Sequence, residues 1–185
     1  KEILQDIGHC ELALGAMGYA NEFLLNKLDQ EATYRHIRNM GGHSVILQNG
    51  TSRLTDMSVP VNQANKYDKN LSIFYSRHNN SFSSPQATGY ETLVYPTVYN
   101  GTTKALVDAV HQAYGSIAKK YGLTDRGVKK QDVYVLRETN MPACLVEGGF
   151  VSNQKDASII SQSKFIEESS LAVAKALMAQ AGQRI

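Results

Sequence analysis

The sequence predicts a single α/β domain built on a mostly parallel, twisted sheet of about six strands, flanked by helices on both faces. Three observations carry this. Amphipathic helical stretches alternate with short apolar runs along the chain. The run "LSIFYS" is near-continuously apolar, as suits a strand covered on both sides. Finally, 185 residues with 42% apolar content can bury a sizeable core, and no repeat, low-complexity tract or linker divides residues 1–185.

Taken in order, the chain opens with a strand near Ile3–Ile7 and a Gly- and Ala-rich loop, "GHCELALGAMGYA". In "NEFLLNKLDQEATYRHIRNMGG", Leu25, Leu28 and Ala32 recur at helical spacing, and Gly41–Gly42 ends the helix. "HSVIL" reads as a strand and "VPVNQANKYDK" as a weaker helix. After "LSIFYS" and a polar loop, "GYETLVYP" is the next strand. "TKALVDAVHQAYGSIAKKYG" is strongly amphipathic, with Leu106, Val110, Ala113 and Ile117 on one stripe. "DVYVLRET" and "PACLVEGGF" read as two further strands. Asn153 with Asp156 resembles a capping pair, and "KFIEESSLAVAKALMAQA" is a long closing helix.

Nineteen basic against 17 acidic residues, with no dense basic run, give no electrostatic case for nucleic acid. Cys10 and Cys144 are too few for a disulfide framework, and no Cys/His zinc-ribbon spacing exists. No apolar run approaches a membrane span, and no signal peptide is read, in a chain that opens on Lys1. A nucleotide-binding reading fails because neither a Walker loop nor GxGxxG follows the first strand.

In such sheets ligands bind outside the carboxyl ends of the strands. His9 lies past the first strand, Glu22 starts the first long helix, His78 follows "LSIFYS", and Glu147 closes "ACLVE". All four are therefore expected at one sheet edge. Two imidazoles, a carboxylate and one open position make a common catalytic zinc arrangement. One zinc ion held by His9, Glu22 and His78 would acidify water to roughly pKa 7, with Glu147 as the catalytic acid and base. Each residue also has a plainer reading. His9 would be a loop residue, Glu22 an acid favoured by the helix dipole, and His78 a solvated strand end. Glu147 sits near the core and needs a partner or a task, the plainer partner being Arg137 or Lys129.

"DIGH" at Asp6–His9, Glu22 after a Gly-rich loop, "SRHNN" at Ser76–Asn80 and "LVEGGFVSN" at Leu145–Asn153 resemble the zinc-dependent N-acetylmuramoyl-L-alanine amidases of bacterial autolysins and phage endolysins. The likeness also takes in "ATGYET", "RGVKK" and "VYVLRETNMPACLVE", and so covers nearly the whole chain. Ser76, His78 and Asn80 fit the family's S-x-H-x-N pattern. The resemblance implies the ligand set and the Glu147 role named above. It implies peptidoglycan as the partner and hydrolysis of the amide between N-acetylmuramic acid and L-alanine. It also implies action at the cell wall, from outside the cell or after release from the cytoplasm in a phage lysin. Departures are Ile7 where proline often stands, Cys10 where glycine is usual, and "VNQAN" without the arginine often seen before the Ala-Asn pair.

Asn80 is expected to order the loop around His78. With Arg126, Lys129 and Arg137, it is a candidate for contact with substrate, because arginine binds stem-peptide carboxylates bidentately. His36, His43 and His111 match no ligand position and are expected at the surface. The short loop "NNSFSSPQAT" leaves no room for a blocking helix, which predicts an open site. No cell-wall-binding repeat is read, so such a module would lie outside this sequence. Two other readings remain at this stage: a zinc peptidase cutting within the stem peptide, and a wall-binding module that has lost catalysis.

Overall fold

A computed structural model describes residues 1–184. The elements run β1 (Glu2–Ile7), α1 (Glu22–Asn39), β2 (Val45–Ile46), α2 (Ser58–Ala64), β3 (Ser72–Asn80) and β4 (Tyr90–Val94). They continue α3 (Gly101–Lys120), β5 (Asp125–Lys130), α4 (Tyr134–Glu138), β6 (Ala143–Phe150), α5 (Gln154–Ile160) and α6 (Ser163–Ala181). The six strands form one sheet in the order β2-β1-β3-β6-β4-β5. β2, β1, β3 and β6 are mutually parallel, whereas β4 is antiparallel to β6 and parallel to β5.

Period-two alternation splits the core between the two faces. Ile3, Ile73, Tyr75, Cys144 and Val146 pack with α1, α3, α5 and α6. Leu4, Phe74, Leu93 and Leu145 point the other way, onto α2 and α4. Leu25 and Ala32 are buried as the helical spacing predicts, but Leu28 is 42% exposed. The α3 stripe comprises Leu106, Val107, Val110, Tyr114 and Ala118. At α5, Asn153 accepts from the Asp156 amide at 3.0 Å, which is the predicted cap. Asp156 does not reach back to complete a capping box. It turns inward, where its Oδ2 accepts from the amides of Gly89 and Phe150.

The strand expected at "DVYVLRET" is not formed. Tyr134–Glu138 is a short helix, and the fifth strand is Asp125–Lys130 instead. Its "DRGVKK" sequence lacks apolar alternation because it is the outermost strand and is largely exposed. Lysines on an edge strand also guard against pairing with another chain. His43 is exposed, but His36 departs from the surface expectation, its side chain 18% exposed and paired with Glu167 on α6. His111 also departs from the surface expectation. Its ring is 15% exposed and bridges Thr92 Oγ1 at 2.9 Å and Asp125 Oδ1 at 3.1 Å, tying α3 to β4 and β5.

Candidate metal centre

The first strand ends at Ile7, and the next two residues take the chain over the sheet edge. His9 has φ +71, a left-handed backbone that a residue with a Cβ adopts only under constraint. The constraint is Asn49, whose Nδ2 donates to the carbonyls of Ile7 (2.9 Å) and His9 (2.6 Å). Asn26 on α1 donates to the Gly8 carbonyl at 3.0 Å, pinning the same turn from the other side. Asn21 caps α1, accepting from the Leu24 amide at 3.0 Å, so Glu22 is the first helical residue.

These turns bring His9, Glu22 and His78 together. One donor atom from each lies within 4.8 Å of the others. Glu22 Oε1 is 3.1 Å from His9 Nε2 and 3.0 Å from His78 Nδ1. The other carboxylate oxygen accepts from the Ala16 amide at 2.7 Å, which fixes its rotation. The two rings meet edge to face, with centroids 4.8 Å apart. Burial opposes ionisation of Glu22, yet its hydrogen bonds to His78 and His9 hold the carboxyl far below the usual range. Burial also opposes a charged His78, but the hydrogen bond to Glu22 and the nearby Glu147 charge raise its pKa.

The donor set fits a metal of the zinc type: two imidazole nitrogens and an ionised carboxylate converge from three different elements. The room for it is made by glycines. A Cβ on Gly8 would run into the His78 ring, and one on Gly15 into His9 and Glu22. A cavity of about 490 Å³ borders His9 and Glu22 and reaches Arg53. Asp56, from the loop before α2, stands behind His9 with Oδ2 3.6 Å from Nδ1, and its Oδ1 is buried without a hydrogen-bond partner. A carboxylate beside the far nitrogen of a ligating imidazole helps orient the ring. Cys10 lies outside the donor set, buried, with Sγ 3.9 Å from the Ser52 carbonyl.

Glu147 sits opposite His78 in the β3–β6 register. Burial pushes its carboxyl up to about 7, with His78 opposing and Glu22 adding to the rise. Its Oε2 is buried without a partner. The ion pair with Arg137 or Lys129 is not made. Arg137 lies on α4 and pairs with Asp132 and Glu138. Lys129 is opposite Leu93, in turn opposite Leu145, which places it down the strand from the site edge.

Arg77, next to His78, is fully buried with Nη2 2.9 Å from Asp29 Oδ2. Its Nη1 donates to the His78 carbonyl, while Tyr114 lies 3.3 Å from Nη2 and donates to the Gly148 carbonyl at 2.9 Å. The guanidinium thus holds the His78 carbonyl directly and the Gly148 carbonyl through Tyr114. Asn80 and Arg126 also reach the site edge, where both bind Glu91. Asn80 Nδ2 donates to Glu91 Oε1 at 3.0 Å, and Arg126 Nε to Oε2 at 2.9 Å. Glu91 itself is opposite Glu147. Residues 81–89, between β3 and β4, contain no helix, as the sequence predicts.

With this geometry in hand, the family model described as N-acetylmuramoyl-L-alanine amidase matches residues 3–179. The chain belongs to this family. It is 36% identical over 124 residues to the amidase CwlM of Bacillus licheniformis, covering 67% of this chain and 46% of that protein. Against the amidase LytC of Bacillus subtilis it is 29% identical over 174 residues, 92% of this chain and 34% of that protein. It therefore spans less than half the length of either family relative. The catalytic domain of the amidase CwlV from Bacillus (Paenibacillus) polymyxa var. colistinus superposes with a TM-score of 0.85 at 24% identity, covering 100% and 99% of the two chains. That likeness is one of fold. Among the described residues, no helix is long and apolar enough to cross a membrane.

Proposed function

We propose that this domain is a zinc-dependent amidase that hydrolyses the bond between the lactyl group of N-acetylmuramic acid and L-alanine in peptidoglycan. The observation that carries the reading is the convergence of His9, Glu22 and His78 one strand away from Glu147, a half-buried carboxylate whose Oε2 is buried without a partner. The amidases CwlM and LytC among its relatives point to the same bond. His9 Nε2, a Glu22 oxygen and His78 Nδ1 would hold the ion. When bound there, zinc supplies Lewis acidity towards a carbonyl oxygen and acidifies water.

The remaining work falls to the chain itself. Glu22, fixed through Ala16, keeps a full negative charge between the imidazoles. Asp56 holds the His9 ring. The Glu147 carboxyl, unpaired in a poorly solvated place, takes a proton from water at its free oxygen and returns it to the alanine nitrogen as the amide breaks. Arg77 keeps the two strand ends in register during that exchange. The place of action is then the cell wall, and a wall-binding domain elsewhere in a longer protein would fit the short coverage of its relatives.

Mass spectrometry of purified peptidoglycan, digested with and without a zinc chelator, tests this. Chelator-sensitive release of peptides with new L-alanine amino termini, from intact glycan strands, is the expected result. Cuts between amino acids of the stem would make the domain a peptidase. No cut by zinc-loaded protein would leave a wall-binding module.

A further inference from the structure

The helix that supplies Glu22 turns a polar face to the sheet. Glu22, Asn26, Asp29, Gln30 and Thr33 recur at helical spacing on α1, and each is 4% exposed or less. A helix packed on a sheet ordinarily buries an apolar stripe. Near the metal centre the seam consists of two amides. Asn79 Nδ2 donates to Asn26 Oδ1 at 3.0 Å, and Asn26 Nδ2 donates to the Gly8 carbonyl at 3.0 Å. Arg77 Nη1 lies 3.3 Å from Asn79 Oδ1, so every polar atom of the two side chains is engaged. The Asn79 backbone N–H donates to Glu22 Oε1 at 3.3 Å.

This pair touches all three ligand-bearing segments at once. Gly8 immediately precedes His9, Asn79 immediately follows His78, and Asn26 lies one turn after Glu22. The ligands cannot keep their own spacing. Glu22 Oε1 holds His9 Nε2 and His78 Nδ1 at 3.1 and 3.0 Å only while those atoms face one another. An ion between them takes the same lone pairs, and the spacing is then kept from outside the donor set.

We infer that Asn26 and Asn79 are positioning residues that hold the three candidate ligands at metal-binding distance before any ion arrives; this rests on the metal site of the amidase reading above. Neither asparagine is a ligand. They act through the Gly8 carbonyl, the end of β3 and the first turns of α1. A ligand set held this way binds without first being gathered, which is how preorganisation adds affinity. Gln30, deeper in the same seam, provides the contrast. Its Nε2 donates to the Asp6 and Tyr75 carbonyls at 2.8 and 3.2 Å, and its Oε1 accepts from Gln5 at 2.6 Å. It is as buried as Asn26, but both carbonyls lie three residues before a ligand.

The test is a double-mutant cycle of Asn26→Ala and Asn79→Ala, with zinc affinity read by competition against a chromophoric chelator. Each single variant is expected to bind zinc about tenfold more weakly, the lower end for groups that orient ligands. The double variant should be no weaker than Asn26→Ala alone, because the two amides act as one. Visible absorption of the cobalt-loaded protein, which reports how ligands are disposed about the ion, should shift in all three. Gln30→Leu should lower the urea midpoint of the chelated protein yet leave zinc affinity and the cobalt spectrum unchanged. Asn26→Ser, whose hydroxyl can satisfy itself on the Glu22 carbonyl, carries the same readouts if the alanine variants do not fold. Unchanged affinity and spectrum in the asparagine variants overturn the assignment. An equal loss in Gln30→Leu also overturns it, since the seam would then be merely structural, and strictly additive losses would dissolve the pair. A parent protein that binds neither metal defeats the metal site itself, and the positioning with it.

Discussion

His9 is held in a backbone conformation that costs a residue with a Cβ roughly 1 kcal/mol or more. Asn49 and Asp56 meet that cost from outside the motif, one at the carbonyls and one behind the ring. Asp56→Ala should therefore weaken zinc binding about ten- to hundredfold, read by competition against a chromophoric chelator. Unchanged affinity would show that the ring needs no support. Glu147 is separable from the ligands. Glu147→Gln should cut amide hydrolysis by about 10² to 10⁴-fold while zinc content by mass spectrometry stays at one per chain. Loss of the metal in that variant would move Glu147 into the ligand set. Sequence spacing made His9, Glu22, His78 and Glu147 legible because each stands at the end of a recognisable strand or the start of a helix. Asn49, Asp56 and Glu91 escaped notice. Their partners lie far along the chain, and no local pattern marks an Asn or Asp in a loop as the holder of a distant ring.

At the scale of elements, the junction of β3 and β6 is set by Arg77, in a run where the sequence shows only a polar residue before His78. A Cβ on Gly148 would strike its guanidinium. Gly148→Ala should destabilise by about 1–3 kcal/mol, as overpacking does, measured by urea denaturation. Asp29→Ala should cost more, about 3–5 kcal/mol, because it leaves a buried guanidinium unpaired. A smaller loss for Asp29→Ala than for Gly148→Ala would mean water reaches Arg77. The strand misread at "DVYVLRET" belongs to this scale as well. Val133, Tyr134 and Val135 favour strand by propensity. Yet Val135 and Leu136 are buried together against the α2 face, which one helical turn achieves and an alternating strand does not. The true edge strand was hidden by its solvent-facing lysines.

For the whole molecule, the three candidate ligands come from the turn after β1, from α1 and from β3, so an ion bound there would clasp three segments that unfolding separates. Free zinc at a hundred times its dissociation constant adds about 2.7 kcal/mol, or about 5–10 °C in Tm for a domain of this size. Scanning calorimetry of chelated protein, before and after adding zinc, should show that rise, with magnesium as the inactive control. A Tm indifferent to zinc would deny the metal site. The α/β class and both helical layers were legible from periodicity. The reversal of β4 and β5 was not, since the direction of a strand leaves no trace in its own residues.

That reversal makes the cleft two-sided in origin. One bank is made where strands finish, at His9, His78 and Glu147. The other is made where strands begin, at Glu91 and Arg126. The second bank hangs on two connections, residues 81–89 and 121–124, that contribute nothing to the ligand set. On the proposed function, exchanging those connections for a relative's should change which wall is preferred while the ligand set stays intact.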